Sequence, residues 1–210
     1  MKKATTETWI ENKLHKVSDK DTLTPVLTAI GLEMSEGIAN VDQIENVIVE
    51  GPSEYFYLTA FRLLHNASKL NFIWGGGATS MPLVGTILHG WGCNVIYLYD
   101  NDKGAKDAEK SLRRNWITVT PDMLSKIPIE GAIEDIFPRE DFASIVADVA
   151  PEEIKGSNSD YIKGKDKVLH ARKFLQRVRS KEKMALSPEF RKRVSALMEH
   201  LSNKMKEARP

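Results

Sequence analysis

The sequence predicts an α/β fold, a parallel sheet flanked by helices, with a helical region added at the carboxy-terminal end. Three observations carry that expectation. Short apolar runs at residues 46–50, 70–74 and 94–99 have the length and continuity of strands buried on both faces. Glycine or turn residues follow each run, and helix-spaced segments separate them, as in successive βαβ units. Beyond Pro151 the chain closes on two segments of helical periodicity.

Taken in order, residues 7–35 read as two short helices, with Asp21-Thr22-Leu23-Thr24-Pro25 offering a cap and a first-turn proline, so that residues 1–44 form an N-terminal helical segment. Asn46-Val47-Ile48-Val49-Glu50 is the first buried strand, closed by Gly51-Pro52, and Ser53 caps a helix to about Asn66. Tyr57, Ala60, Phe61 and Leu64 fall on one face of that helix. The strand from Leu70 to Trp74 ends in Gly75-Gly76-Gly77 and leads to a helix near Pro82 to Leu88. The strand from Asn94 to Tyr99 runs straight into Asp100-Asn101-Asp102. A polar helix from about Gly104 to Arg114, a short strand at Ile117 to Val119 and a loop-rich stretch through Gly131 follow, all within a domain spanning residues 45–150. The polar, glycine-containing stretch from Glu153 to Asp166 reads as a mobile connection to helices near 166–179 and 188–206, the body of an extension covering residues 151–210.

Composition narrows the class of protein. The 210 residues suffice for one α/β domain with additions. With 41% hydrophobic and 28% charged residues, and no apolar run of membrane-spanning length, a soluble protein without membrane partners is expected. The two lysines at the start precede no apolar stretch, so no secretory signal is read, and the single Cys93 fits a cytoplasmic location. The net charge of +1 conceals a division: residues 151–210 hold 16 Lys/Arg against 8 Asp/Glu, and residues 1–150 hold 14 against 21. An acidic body that binds metal beside a basic helical region that meets phosphates is one reading, and a solvated lysine-rich helix face is the other.

Candidate chemistry gathers at strand ends, where ligands bind in open α/β sheets. Asp100 and Asp102, one residue apart, repel each other in a poorly solvated cleft, and a divalent cation offsets that repulsion. The candidate ligands are all oxygens, which suits Mg²⁺ or Mn²⁺ rather than zinc. Turn chemistry alone also places Asp and Asn after strands.

The combination is more specific than either part. Val49-Glu50-Gly51 ends one strand and Asp100-Asn101-Asp102-Lys103-Gly104 ends another about fifty residues later. This pairing resembles the Toprim fold of topoisomerases, bacterial primases and several nucleases. Within it, Val49-Glu50-Gly51-Pro52-Ser53-Glu54-Tyr55-Phe56-Tyr57-Leu58, Gly90-Trp91-Gly92, Leu98 to Lys103 and Ala132-Ile133-Glu134-Asp135-Ile136-Phe137 resemble the nuclease half of the OLD (overcoming lysogenization defect) family. The resemblance implies a Toprim-like, Rossmann-like sheet and a Mg²⁺- or Mn²⁺-dependent endonuclease or nickase acting on DNA. It implies metal ligands Glu50, Glu54, Asp100, Asp102 and Glu134, and a basic catalytic residue from the downstream helices, Lys167 first and Lys173 second. Glu54 stands where aspartate is usual, and Ala132 where a small hydroxyl residue is usual. Those relatives join this half to an ABC-type ATPase. Here no Gly-x-x-x-x-Gly-Lys-Ser/Thr loop occurs, which implies an ATPase partner on another chain or a longer parent protein.

Other readings stand beside the DNA nuclease. A Toprim nuclease acting on RNA is one, and a non-catalytic Toprim module serving a separate ATPase is another. Asp-x-Asp after an apolar strand also opens haloacid-dehalogenase-type phosphatase sites, but there the strand is usually the first and a small hydroxyl residue follows. The Gly75-Gly76-Gly77 run is read as a tight turn rather than a dinucleotide site, and Trp74 and Trp91 as packing rather than base-stacking residues. His89 and His170 have no motif partners.

Overall fold

The computed structural model of the protein describes residues 45–65, 69–77, 80–90, 92–101 and 119–208, and the backbone of 7–10 and 13–16. At its centre is a four-stranded, all-parallel sheet in the order β4-β3-β5-β6: Asn71–Trp74 (β4), Asn46–Val49 (β3), Val95–Tyr99 (β5) and Leu124–Lys126 (β6). Register is continuous across β3, with Val49 opposite Trp74 on one side and Leu98 on the other. The C-terminal ends of β3 and β5 therefore lie side by side.

Alternation along each strand sorts side chains onto two faces. Val47, Val49, Phe72, Ile96 and Leu98 enter the larger core, while Ile48, Ile73, Val95, Tyr97 and Tyr99 enter the smaller one with Met81, Val84 and Leu88. The smaller face is covered by helix α2, Met81–Gly90. The larger is covered by α1, Pro52–His65, and by two late helices, α4 (Lys167–Arg179) and α5 (Pro188–Glu207). A five-residue helix α3, Asn158–Ile162, precedes them.

The sequence explains these elements locally. Helix α1 begins with Pro52 and carries Glu54 in its first turn, where an acid meets the positive end of the helix dipole. The hydroxyl of Ser187 accepts from the Phe190 amide to start α5, and the Asp166 carboxylate accepts from the Leu169 amide to start α4. Both late helices belong to the same core as the sheet, for Ala171, Phe174, Phe190, Val194 and Leu201 are buried with Val47 and Leu98. Phe137 sits at the junction, its ring centroid 5.4 Å from Phe61, 5.1 Å from Phe174 and 4.6 Å from Phe190. Such edge-on and offset pairs add to what area burial alone supplies.

Several expectations require correction. Residues 7–10 and 13–16 are not helical. They form an antiparallel pair, Glu7–Ile10 (β1) with Lys13–Lys16 (β2), in which β-branched Thr8 and Ile10 and aromatic Trp9 favour extended backbone. The remainder of the expected helical segment, residues 17–44, lies outside the described residues, as does the expected helix from Gly104 to Arg114. Val119 is not in a strand; the fourth strand is β6, inside the stretch read as loop-rich. Three residues, two of them polar, give too little periodicity to be recognised. The stretch from Glu153 to Asp166 is packed rather than a bare connection, because Ile154 and Ile162 are buried and Ser157 closes a capping box with Asp160 around the start of α3. Among the described residues no helix is long and apolar enough to cross a membrane.

Candidate active site

Four segments distant in sequence meet beyond the C-terminal ends of β3 and β5. Glu50 follows β3 directly and is exposed; its carbonyl accepts from Trp74 Nε1 at 3.1 Å and from the Gly77 amide at 2.9 Å. The indole thus ties adjacent strand ends together, in keeping with a packing role. Gly76 and Gly77, both at positive φ, make the turn that brings this amide back.

One turn into α1, Glu54 is buried and folds back beneath Gly51, where any Cβ would collide with Glu54 Oε2. Its Oε1 accepts from Ser53 Oγ at 3.2 Å and from Lys167 Nζ at 3.4 Å. Lys167 opens helix α4, 113 residues further along the chain. Its exposed, alternative candidate Lys173 acts instead on His170, whose pKa burial and that lysine lower.

Asp100 follows β5, half-buried, and contributes to the field around Lys167. The residue between the two aspartates has a structural task. Asn101 pairs with Gly131 in an isolated antiparallel bridge, its amide donating to Gly131 O at 3.0 Å, and its side chain donates to Ile129 O at 3.0 Å. That bridge draws the segment leading to Glu134 against the end of β5. Asp102 lies outside the described residues.

Glu134 sits in the 3-10 turn Ile133–Ile136 and is only 1% exposed. The turn is held from the far end of the chain, since Asn158 Nδ2 donates to the carbonyls of Glu134 at 3.0 Å and Phe137 at 2.8 Å, and Arg193 Nη1 donates to Asp135 O at 3.1 Å. At Ala132, the backbone amide donates to Asp135 Oδ2 at 3.0 Å.

The electrostatics follow from burial. Loss of solvent pushes the Glu134 carboxyl up to about 7, with Lys167 and its own backbone amide opposing and Glu54 and Asp135 adding to the rise. For Lys167, desolvation acts to lower the pKa, but Glu54, Glu134 and Asp100 together outweigh it and leave the ammonium held more firmly than usual. Tyr57, one turn beyond Glu54 on α1, has its phenol pushed well above the ordinary value by burial and by the Glu134 and Glu54 carboxylates. Its hydroxyl, Glu54 Oε2 and Glu134 Oε1 are buried with no hydrogen-bond partner among the described residues.

Buried carboxylate oxygens left unsatisfied are costly unless a cation or proton answers them. Among the described residues, which exclude Asp102, no three His, Cys, Asp or Glu side chains form a ready-made ligand cluster. The donors at hand are nonetheless all hard oxygens, two of them orphaned, so the residues fit Mg²⁺ or Mn²⁺ and not a soft metal. Tyr57 and Asn101 lie within segments that carry the resemblance, yet neither they nor Asn158 are read from the sequence as site residues; the three-residue spacing of Tyr57 from Glu54 on one helix face is the signal that points to a shared site. No protein-family model, curated protein or solved structure matches this chain.

Proposed function

We propose that this chain is a Toprim-type nuclease that hydrolyses DNA phosphodiester bonds with Mg²⁺ or Mn²⁺. The observation that carries the reading is the ion pair between Lys167 and Glu54 with Glu134 and Asp100 in the same field, an acid-and-lysine constellation gathered from segments far apart in sequence beside adjacent strand ends. Glu50, Glu54, Asp100, Asp102 and Glu134 would hold the metal. When bound, it would supply Lewis-acid stabilisation and a water acidic enough to attack phosphorus.

The protein's own groups account for the rest. Ser53 holds the Glu54 carboxylate and Asn158 holds the backbone of the turn that carries Glu134, so both acids sit on fixed supports and would need little reorganisation when charge develops. Lys167, half exposed, can release Glu54 and turn its ammonium to a phosphoryl oxygen, offsetting negative charge. Buried Tyr57 stays protonated and keeps a hydroxyl toward the carboxylates.

The test is supercoiled plasmid incubated with pure protein in Mg²⁺, Mn²⁺ or EDTA. Nicking is expected with either ion and not with EDTA, and Glu50→Ala and Asp100→Ala should abolish it without unfolding the protein. Variants that cut as fast as the parent would place any activity elsewhere. A structured RNA assayed in parallel separates an RNA-processing nuclease from a DNA nuclease. A second reading, a non-catalytic module serving a separate ABC-type ATPase, is favoured by one observation: the Lys167 ammonium pairs with Glu54 and can offset its charge. Failure to bind Mn²⁺ would select it.

A further inference from the structure

Tyr57 is fully buried on α1 in a clasp of aromatic rings, its centroid 6.2 Å from that of Phe61, 5.5 Å from Phe137 and 6.0 Å from Phe174. A phenylalanine would fill that space as well. What the tyrosine adds is a hydroxyl, and it is buried with no hydrogen-bond partner among the described residues, an unfavourable arrangement for a polar group. Two further orphaned atoms belong to acids close enough to act on the phenol, Glu54 Oε2 and Glu134 Oε1. The fold explains the meeting. Glu54 and Tyr57 stand three residues apart on α1 and share a face. Glu134 stands three before Phe137 across a 3-10 turn, which sets both on one side, and the Phe137 ring is edge-on to that of Tyr57.

We propose that Tyr57 is a positioning residue for the metal site, donating its hydroxyl hydrogen to the Glu134 carboxylate when the acids gather around Mg²⁺ or Mn²⁺. The inference rests on the metal reading given above. Glu134 rather than Glu54 is the acceptor, because Ser53 and Lys167 already donate to Glu54 Oε1 while Glu134 Oε1 is left without a donor among the described residues. The Glu134 charge is also the one the phenol feels more strongly. A carboxylate that ligates a metal keeps its direction when its remaining lone pairs are held by hydrogen bonds. Lys167 supplies a donor only together with a positive charge that competes with the ion. A phenol supplies one without charge, from a ring locked in place by its neighbours.

The experiment titrates Mn²⁺ into the full chain by calorimetry, parent against Tyr57→Phe, with urea unfolding of both in EDTA and plasmid nicking by the parent in parallel. Without metal the variant should be at least as stable as the parent, since it keeps the ring and deletes a buried, unpartnered hydroxyl. Its Mn²⁺ dissociation constant should nevertheless rise about tenfold or more. A merely structural hydroxyl would give the reverse, earlier unfolding in EDTA with unchanged Mn²⁺ affinity, and either half of that result overturns the proposal. A parent that nicks plasmid while Tyr57→Phe binds Mn²⁺ equally well overturns the role of Tyr57 alone. A parent that binds Mn²⁺ without nicking overturns the nuclease reading, and a weaker-binding Tyr57→Phe still upholds the positioning role. A parent that takes up no Mn²⁺ overturns both.

Discussion

Replacing Glu134 by glutamine should make the metal-free protein more stable at neutral pH and nearly unchanged at pH 4.5 or below. In the folded chain burial raises the Glu134 carboxyl to about 7 from its ordinary 4.5, which the unfolded chain retains. Between those values the native state holds a proton that the unfolded state has released. Stability therefore falls as pH rises through this window, and the loss is complete above pH 7. Its size is about 3 kcal/mol at ~1.4 kcal/mol per pH step. Glutamine has no proton to lose and should remove this contribution. The assay is urea unfolding followed by circular dichroism, in EDTA, at several pH values from 4.5 to 8. With a urea slope of about 2 kcal/mol/M, the variant's midpoint should exceed the parent's by roughly 1 to 2 M at pH 8 and converge with it at the acid end. Other titrating groups are common to both proteins and cancel in the difference. Midpoints that run parallel across the whole range would refute the argument that Glu134 is protonated by burial. Adding Mn²⁺ should flatten the parent's decline, because the ion favours the ionised carboxylate.

Lys167→Met keeps the aliphatic stem of α4's first turn but removes the charge beside Glu54; plasmid nicking should fall about a hundredfold or more while circular dichroism is unchanged. Asn158→Ala leaves the carbonyls of Glu134 and Phe137 without their shared donor; a loss of about 1 to 3 kcal/mol in urea unfolding is expected, with weaker Mn²⁺ binding by calorimetry. Phe137→Ala opens a cavity where α1, α4 and α5 meet; unfolding should become easier by about 3 to 5 kcal/mol.

The parts of the fold legible in the sequence were those whose signal is local. Strands β3 and β5 are continuous apolar runs stopped by Gly51-Pro52 or by Asp100-Asn101, so burial on both faces is written into each. Helices α4 and α5 show apolar residues at helical spacing, with Asp166 and Ser187 as caps. Tertiary relations left no such trace. That Asn158 would hold the Glu134 turn, or Asn101 the bridge to Gly131, follows from contacts between segments 24 and 30 residues apart, and an isolated asparagine reads only as a turn former. The antiparallel pairing of residues 7–10 with 13–16 is not legible because so few apolar positions in so short a span do not separate helical spacing from strand alternation. Likewise, the charge excess of residues 151–210 suggested an appendage, whereas the residues that matter for packing there, Phe174, Phe190 and Leu201, are uncharged and sparse.

The ring of Phe137, clasped by residues from α1, α4 and α5, also fixes an order of events during synthesis. A nascent chain that has emerged only as far as residue 180 already carries Glu50, Glu54, Asp100, Asp102 and Lys167, yet it lacks Phe190, which stacks on Phe137, and Arg193, which grips the Glu134 turn. Its acids are all present, but the turn that aims one of them is held by only part of its clamp. Without α5 the turn lacks the Arg193 donor to Asp135 and the Phe190 ring against Phe137, so Glu134 is expected to stay more solvated until that helix docks. A fragment ending at residue 180 should accordingly be digested by protease within the 131–142 segment far sooner than the full chain.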